Sequence, residues 1–205
     1  MRSSPLALLA ALVPGLAFAQ EARLPVRVET IERIVAVVDE RPLLLSDVRA
    51  LQAVRGLAEE PAREGAIDER LMHVEAARLP QADVLPEEED RALALLVLKR
   101  PALRGEVEEP ALRRLLRRQI AILKYVEFRF RPQVRVSDAD VRKAWEDEQA
   151  GRAAGPAFED EQEELRARLE RRALDERIEA WVRELRQRAD VRYVGGAPEA
   201  PPGAP

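Results

Sequence analysis

The stretch ERIVAVVDERPLLLSDVRAL, residues 32–51, decides the fold that we expect for this chain. It holds an apolar run, a four-residue turn at 39–42, three leucines and then Ser46-Asp47. The pattern predicts two short strands, 33–38 and 43–45, followed by a helix. Ser46 is a favourable N-cap for that helix, and Asp47 suits its positive end. A hairpin of this size is not stable alone, so we expect other elements to cover it.

Outward from this stretch, apolar residues recur at helical spacing and prolines separate the segments. We predict a loop at 59–65, a helix at 66–79 and another after Pro86. The longest period in the middle of the chain covers 110–131. Its core-facing positions are predicted to be Leu112, Leu115, Leu116, Ile120, Leu123, Val126 and Phe130. In the helix after Pro86, the core-facing positions are predicted to be Leu93, Leu96 and Val97.

The last third of the chain has two further helical signals. Ser137-x-x-Asp140 has the spacing of a capping box, and Trp145 lies on the short helix that it would start. A very long helical period then covers 159–190, with Trp181 and Leu185 on its apolar stripe. The β-prone segment 191–194 follows. We therefore predict a mostly α fold with a small β-sheet.

The first residues have the features of an export signal. Arg2 precedes the apolar run 6–13, and Ala17-Phe18-Ala19 has the small-x-small pattern of a cleavage site before Gln20. The apolar run is shorter than the roughly 20 residues of a membrane span. We predict cleavage between Ala19 and Gln20 and release into the periplasm, with an uncleaved anchor as the alternative.

The remaining boundaries follow from breaks in composition. Residues 195–205 are mostly glycine, proline and alanine, which predicts a disordered tail. The chain then divides into a signal peptide (1–19), a lead segment (20–30), the hairpin and first helices (31–150), a linker (151–158), the long helix with the final strand (159–194) and the tail (195–205).

The composition limits the chemistry that the chain offers. The 205 residues have a formal net charge of −4, so no overall positive field recruits nucleic acid. The absence of cysteine excludes disulfides, thiol catalysis and cysteine-bound zinc. The single histidine, His73, has no second histidine or cysteine to complete a metal site, and we interpret it as structural. We predict no catalytic residues, no metal and no cofactor.

Two acidic runs and one basic helix are the charged segments that could bind a ligand. The acidic runs 87–90 and 159–164 lack the Asp-x-Asp-x-Gly spacing of a calcium loop and lie at predicted helix starts, where acidic residues are stabilising. The 113–131 segment is basic and could contact RNA or anionic lipid, but a salt-bridged surface is the favoured interpretation. Tyr125 and Phe128 lie off the apolar stripe of this helix, and we predict them as exposed client-binding candidates.

Three stretches resemble the SurA-type periplasmic chaperones, in the order found in that family. ERIVAVVDERPLLLSDVRAL resembles the opening hairpin and helix of the mature proteins. RVSDADVRKAWED, residues 135–147, resembles a later segment that leads into a helix. IEAWVRELRQRADVRYV, residues 178–194, resembles the family's C-terminal helix and strand. The resemblance implies a helical SurA-like core module in which 191–194 pairs with 33–38.

The resemblance implies a function as well as a fold. It implies a periplasmic holdase-type chaperone that binds unfolded outer-membrane proteins. Family members usually carry parvulin-type prolyl isomerase domains between the second and third stretches, where this chain has only residues 149–156. A parvulin site needs paired histidines, so we do not expect isomerase activity. Two alternatives stay open, a docking subunit for one folded partner and a cryptic prolyl isomerase, and the oligomeric state is also open.

Overall fold

A computed structural model describes residues 32–150 and 157–194. The predicted signal peptide, the lead segment, most of the predicted linker and the predicted tail lie outside these residues. The elements, in chain order, are β1 (Ile34–Val38), β2 (Arg41–Leu44), α1 (Leu45–Arg55), α2 (Glu59–Ala76), α3 (Pro86–Lys99), α4 (Leu103–Glu106), α5 (Glu109–Arg129), α6 (Asp138–Gln149), α7 (Phe158–Arg188) and β3 (Val191–Tyr193). The predicted mostly α fold with a small sheet is confirmed.

The sheet joins the two ends of the described chain. Its strand order is β2-β1-β3, and both pairings are antiparallel. Val38 lies opposite Val191, and Ala36 lies opposite Tyr193. The backbone N–H of Val194 donates to the carbonyl of Val35 at 3.0 Å. The predicted pairing of the C-terminal segment with the N-terminal hairpin is therefore confirmed.

The hairpin turns through two residues, where four were expected. Asp39 and Glu40 have φ values of 46° and 65°, so both central residues are left-handed, as a type I′ turn requires. Non-glycine residues adopt this conformation at a cost. Two hydrogen bonds to Asp190, just before β3, offset part of this conformational cost. The Asp190 N–H donates to Asp39 Oδ1 at 2.9 Å, and the Asp39 N–H donates to the Asp190 carbonyl at 2.9 Å.

The predicted role of Ser46 as the N-cap of α1 is wrong. The N-cap is Leu44 and the helix begins at Leu45, two residues earlier than predicted; the Leu44 side chain makes no capping hydrogen bond. The last leucine of the run, Leu45, therefore belongs to the helix rather than to the strand, and it is buried in the core. Ser46 instead donates from its backbone N–H and its hydroxyl to the Glu32 carboxylate, at 3.1 Å and 2.6 Å. A carboxylate from before β1 thus accepts one backbone N–H of the first turn of α1.

The predicted loop at 59–65 is also wrong, because these residues form the first two turns of α2. Pro61 and Gly65 suggested a loop by their low helix propensity. Pro61 lies in the first turn of α2, where a backbone N–H has no acceptor within the helix, so proline costs no helical hydrogen bond there. Gly65 lies against α1, and a Cβ there would come within 3.2 Å of Leu51 Cδ2. A glycine at this position lets the two helices pack closely.

The core lies between the sheet and helices α1, α2 and α5, and α7 covers it. Leu51, Ile67 and Leu115 are fully buried at its centre. Trp181 and Leu185 of α7 are buried against the same cluster, so the predicted packing of this helix on the first helices is confirmed.

Helix α6 packs on the N-terminal half of α7. The predicted capping box is confirmed, since the Asp140 N–H donates to Ser137 Oγ at 3.2 Å and the Ser137 N–H donates to Asp140 Oδ2 at 3.0 Å. The Trp145 ring meets the Phe158 ring edge-on, with centroids 5.8 Å apart. Val141 is fully buried beside this contact.

Candidate functional site

Helix α3 carries more apolar surface than the core can cover. Residues 92–98 read ALALLVL, without a polar residue. Successive side chains on a helix are about 100° apart, so only part of this run can face the core. Leu93 and Leu96 pack against the core cluster, as predicted. Leu95 and Leu98 are 51% and 77% exposed. A helix that is apolar on all sides is normally buried, so its outer face indicates a binding surface.

A groove of about 420 Å³ lies between α3 and the corner formed by α4 and α5. We call it the α3 groove. Its apolar lining consists of Leu93, Ala94, Val97, Val107 and Leu112. Val97 was predicted to face the core and lines this groove instead. Leu98 is 77% exposed and is not one of the lining residues, but it lies one helical turn after Ala94, which lines the groove.

Four charged residues complete the lining of the α3 groove: Asp90, Arg104, Glu109 and Arg113. Arg113 donates to Asp90 at 2.7 Å, to Glu109 at 2.8 Å and to Glu89 at 3.2 Å. These hydrogen bonds, with that to Asp90 the strongest, raise the pKa of Arg113 above its ordinary value. The groove therefore has an apolar floor and a rim on which both carboxylates are already paired.

The acidic start of α3 is neutralised by α5. Glu88 Oε2 accepts from Lys124 at 2.6 Å and from the Leu85 N–H at 2.9 Å, and Glu89 accepts from Arg117 at 2.8 Å. The interpretation of the basic helix as a salt-bridged surface is confirmed for these residues. No group of three or more histidine, cysteine, aspartate or glutamate side chains within residues 32–150 and 157–194 is arranged to hold a metal ion.

The two aromatic candidates on α5 have different surroundings. Tyr125 was predicted to be exposed, but its ring stacks on Trp181 with centroids 4.9 Å apart and an interplanar angle of 14°. Phe130 meets both rings edge-on. Tyr125 is covered because it contacts Trp181 of α7. A helical wheel of α5 alone does not show this contact. Phe128 is 53% exposed and stays available to solvent.

Leu123 was predicted to face the core and is 59% exposed. Neither core cluster of the described residues includes it, and it does not line the α3 groove. The neighbouring turn of α5 instead directs Ile122 and Val126 into the core. Leu123 therefore serves as a matched control for the exposed leucines of α3.

Asp47 is more than a favourable charge at a helix start. It is only 1% exposed and lies among arginines of two other helices. Oδ1 is 3.1 Å from Arg114 Nε and 3.4 Å from Arg118 Nη1, and Oδ2 is 3.6 Å from Arg70 Nη2. Sequence reasoning missed this ion cluster because its partners are 23 to 71 residues away. It joins α1, α2 and α5, with Asp47 and Arg118 buried and Arg114 partly open to solvent.

A second buried carboxylate, Glu69, lies near this cluster. Its Oε1 accepts from Arg55 at 2.7 Å and from Gln119 at 3.0 Å, while Oε2 has no partner among the described residues. Burial raises the pKa of Glu69 above its ordinary value, against the hydrogen bond from Gln119 and the charge of Arg55. His73 on the same helix has its pKa lowered by burial and then by the charges of neighbouring arginines.

Glu69→Gln is expected to become more stable relative to wild type as pH rises. A carboxyl whose pKa is higher in the folded than in the unfolded chain contributes stability that is lost as pH rises through the folded pKa. Glutamine keeps the acceptor oxygen and cannot ionise. Urea unfolding of both proteins should show the difference growing from about pH 4.5 upward, until Glu69 is ionised. Each tenfold difference in the proton affinity of Glu69 between the folded and the unfolded chain changes the free energy of unfolding by about 1.4 kcal/mol. Parallel pH profiles would contradict this prediction.

Within residues 32–150 and 157–194, no helix combines the length and the apolar character that a membrane crossing needs.

Compared with known proteins, the chain matches no protein-family model and no curated protein sequence.

Proposed function

We propose that this protein is a non-enzymatic, holdase-type chaperone of the periplasm that binds apolar segments of unfolded outer-membrane proteins in the α3 groove. The observation that carries the proposal is the exposed apolar face of α3, where Leu98 lies one helical turn from Ala94, which lines a groove floored by aliphatic side chains. Export is proposed from the signal-like sequence of residues 1–19. The resemblance of three stretches to SurA-type chaperones supports the client class.

The groove suits weak and reversible binding. Burying apolar surface stabilises a complex by about 0.8 kcal/mol per methylene group, so a few client side chains in the groove supply several kcal/mol. Association and the ordering of an unfolded segment cost a comparable amount. Because these gains and costs nearly cancel, each bound segment dissociates quickly, and the client is released without an energy source. Aliphatic surfaces impose little geometry, so many apolar sequences fit.

Leu98→Glu is expected to reduce the suppression of aggregation of a urea-denatured outer-membrane β-barrel protein by at least about fivefold. A glutamate beside the groove must be desolvated when an apolar segment binds, which costs more than about 1 kcal/mol. Light scattering after dilution of the client measures the effect. Because Leu98 is largely exposed, the free energy of unfolding should change by less than about 0.5 kcal/mol.

Leu123→Glu is the matched control, because it places the same charge at an exposed leucine of α5 outside the groove. It should suppress aggregation as well as wild type does. Equal activity of wild type and Leu98→Glu would overturn the proposed site.

The exposed leucines of α3 also favour a second candidate function, docking to one folded partner. Breadth of binding separates the two functions: a holdase binds many unrelated apolar peptides, whereas a docking subunit binds one protein with defined stoichiometry. The proposal includes no isomerase activity. Turnover of a prolyl tetrapeptide by the purified protein would restore the enzymatic alternative.

A further inference from the structure

The charges that line the α3 groove are not equally satisfied. Asp90 and Glu109 both bond to Arg113, so those two carboxylates and that guanidinium neutralise one another. Arg104 also lines the groove, is exposed and forms no ion pair with any residue in the described part of the chain. The groove therefore offers a segment one unsatisfied positive charge and no unsatisfied carboxylate.

Two more basic residues lie close to Arg104 along the chain, although neither lines the groove. Lys99 ends helix α3 and Arg100 follows it; both are exposed and form no ion pair within residues 32–150 and 157–194. Arg100 Nη1 donates to the carbonyl of Val54 at 2.7 Å, which fixes its position beside α1. The nearest acidic residues along the chain, Glu106 and Glu108, do not line the groove.

Building on the proposed function, we propose that the α3 groove prefers apolar segments that carry an acidic residue at one end, and that Arg104 binds the carboxylate of that residue. Guanidinium–carboxylate hydrogen bonds are charge-assisted and stronger than neutral ones. A basic residue at the same place in the segment meets the positive charge of Arg104 and finds Asp90 and Glu109 already paired with Arg113. The charge arrangement thus adds selectivity to an aliphatic groove that has little of its own.

Fluorescence anisotropy with three labelled peptides tests the preference. The peptides share one apolar core of about seven residues and end in glutamate, glutamine or lysine. In low salt, wild type should bind the glutamate peptide about three- to fivefold more tightly than the glutamine peptide, and the lysine peptide most weakly. The differences should shrink in 0.5 M NaCl, because the groove is open to solvent.

Variants assign the effect to one side chain. Arg104→Gln should equalise the glutamate and glutamine peptides, and Arg104→Lys should keep part of the difference. Arg171→Gln is the matched control, because Arg171 is an exposed arginine of α7 without an ion pair in the described part of the chain. It should leave the ranking unchanged.

The outcomes separate the preference from the function on which it rests. Equal affinities for all three peptides, or tighter binding of the lysine peptide, would overturn the preference and leave the holdase intact. Failure of every peptide to bind would overturn the holdase itself. If wild type sediments as a dimer and Leu98→Glu as a monomer, the face binds a second copy of the chain. If wild type floats with anionic vesicles and Leu98→Glu does not, the face binds lipid. Either of these results also overturns the proposal.

Discussion

Trp181→Ala is expected to lower the free energy of unfolding by about 3–5 kcal/mol. Trp181 is only 8% exposed, and its ring holds α7 to α5 by stacking on Tyr125 and by an edge contact with Phe130, just after α5, at 5.2 Å between centroids. Alanine removes these contacts and leaves a cavity that helices on both sides cannot fill. Urea unfolding measures the loss.

Phe128→Ala is the control for that experiment, because it removes an aromatic ring that is half exposed. It should cost less than about 1 kcal/mol. A loss below about 1 kcal/mol for Trp181→Ala as well would contradict the packing of α7 on the core.

Ending the chain after Asp190 is expected to unfold the N-terminal hairpin. The truncation removes β3, and a two-stranded hairpin is marginal in water. It also removes Tyr193, whose hydroxyl donates to Glu64 at 3.0 Å and whose ring lies 5.3 Å from the Arg63 guanidinium. Two tethers between the sheet and α2 are lost together with the strand.

Hydrogen exchange at residues 34–38 measures this effect, and a chain that ends after Val194 is the control. Amide protection of β1 should collapse in the shorter chain and stay at the full-length level in the longer one. Equal protection in the two truncated proteins would contradict the closure of the fold through β3.

Much of the fold could be predicted because its signals are local or periodic. The hairpin, the capping box at Ser137 and the long α7 with Trp181 on its apolar stripe all follow from short-range patterns. The errors occurred where a distant residue decides the outcome. Glu32 takes the role expected of Ser46, and close packing against Leu51 allows Gly65 to lie within a helix.

The candidate site was less predictable than the fold. The exposure of Phe128 follows from its position on the α5 wheel, but Tyr125 lies on a similar part of the wheel and is held by Trp181 from another helix. The α3 groove depends on how α4 and α5 turn beside α3, which no local pattern describes. One signal was present, the unbroken apolar run 92–98, since a single face of a helix cannot bury all of it.

Site-specific photocrosslinking in cell envelopes tests most directly whether the α3 groove is the client-binding surface. Position 98 lies one helical turn from Ala94, which lines the groove, and position 123 is an exposed control outside it, with 59% exposure against 77% at position 98. We predict that position 98 forms adducts with several different outer-membrane β-barrel proteins while these are being exported, and that position 123 forms few. Adducts with one folded protein only, or equal adducts at both positions, would contradict the account.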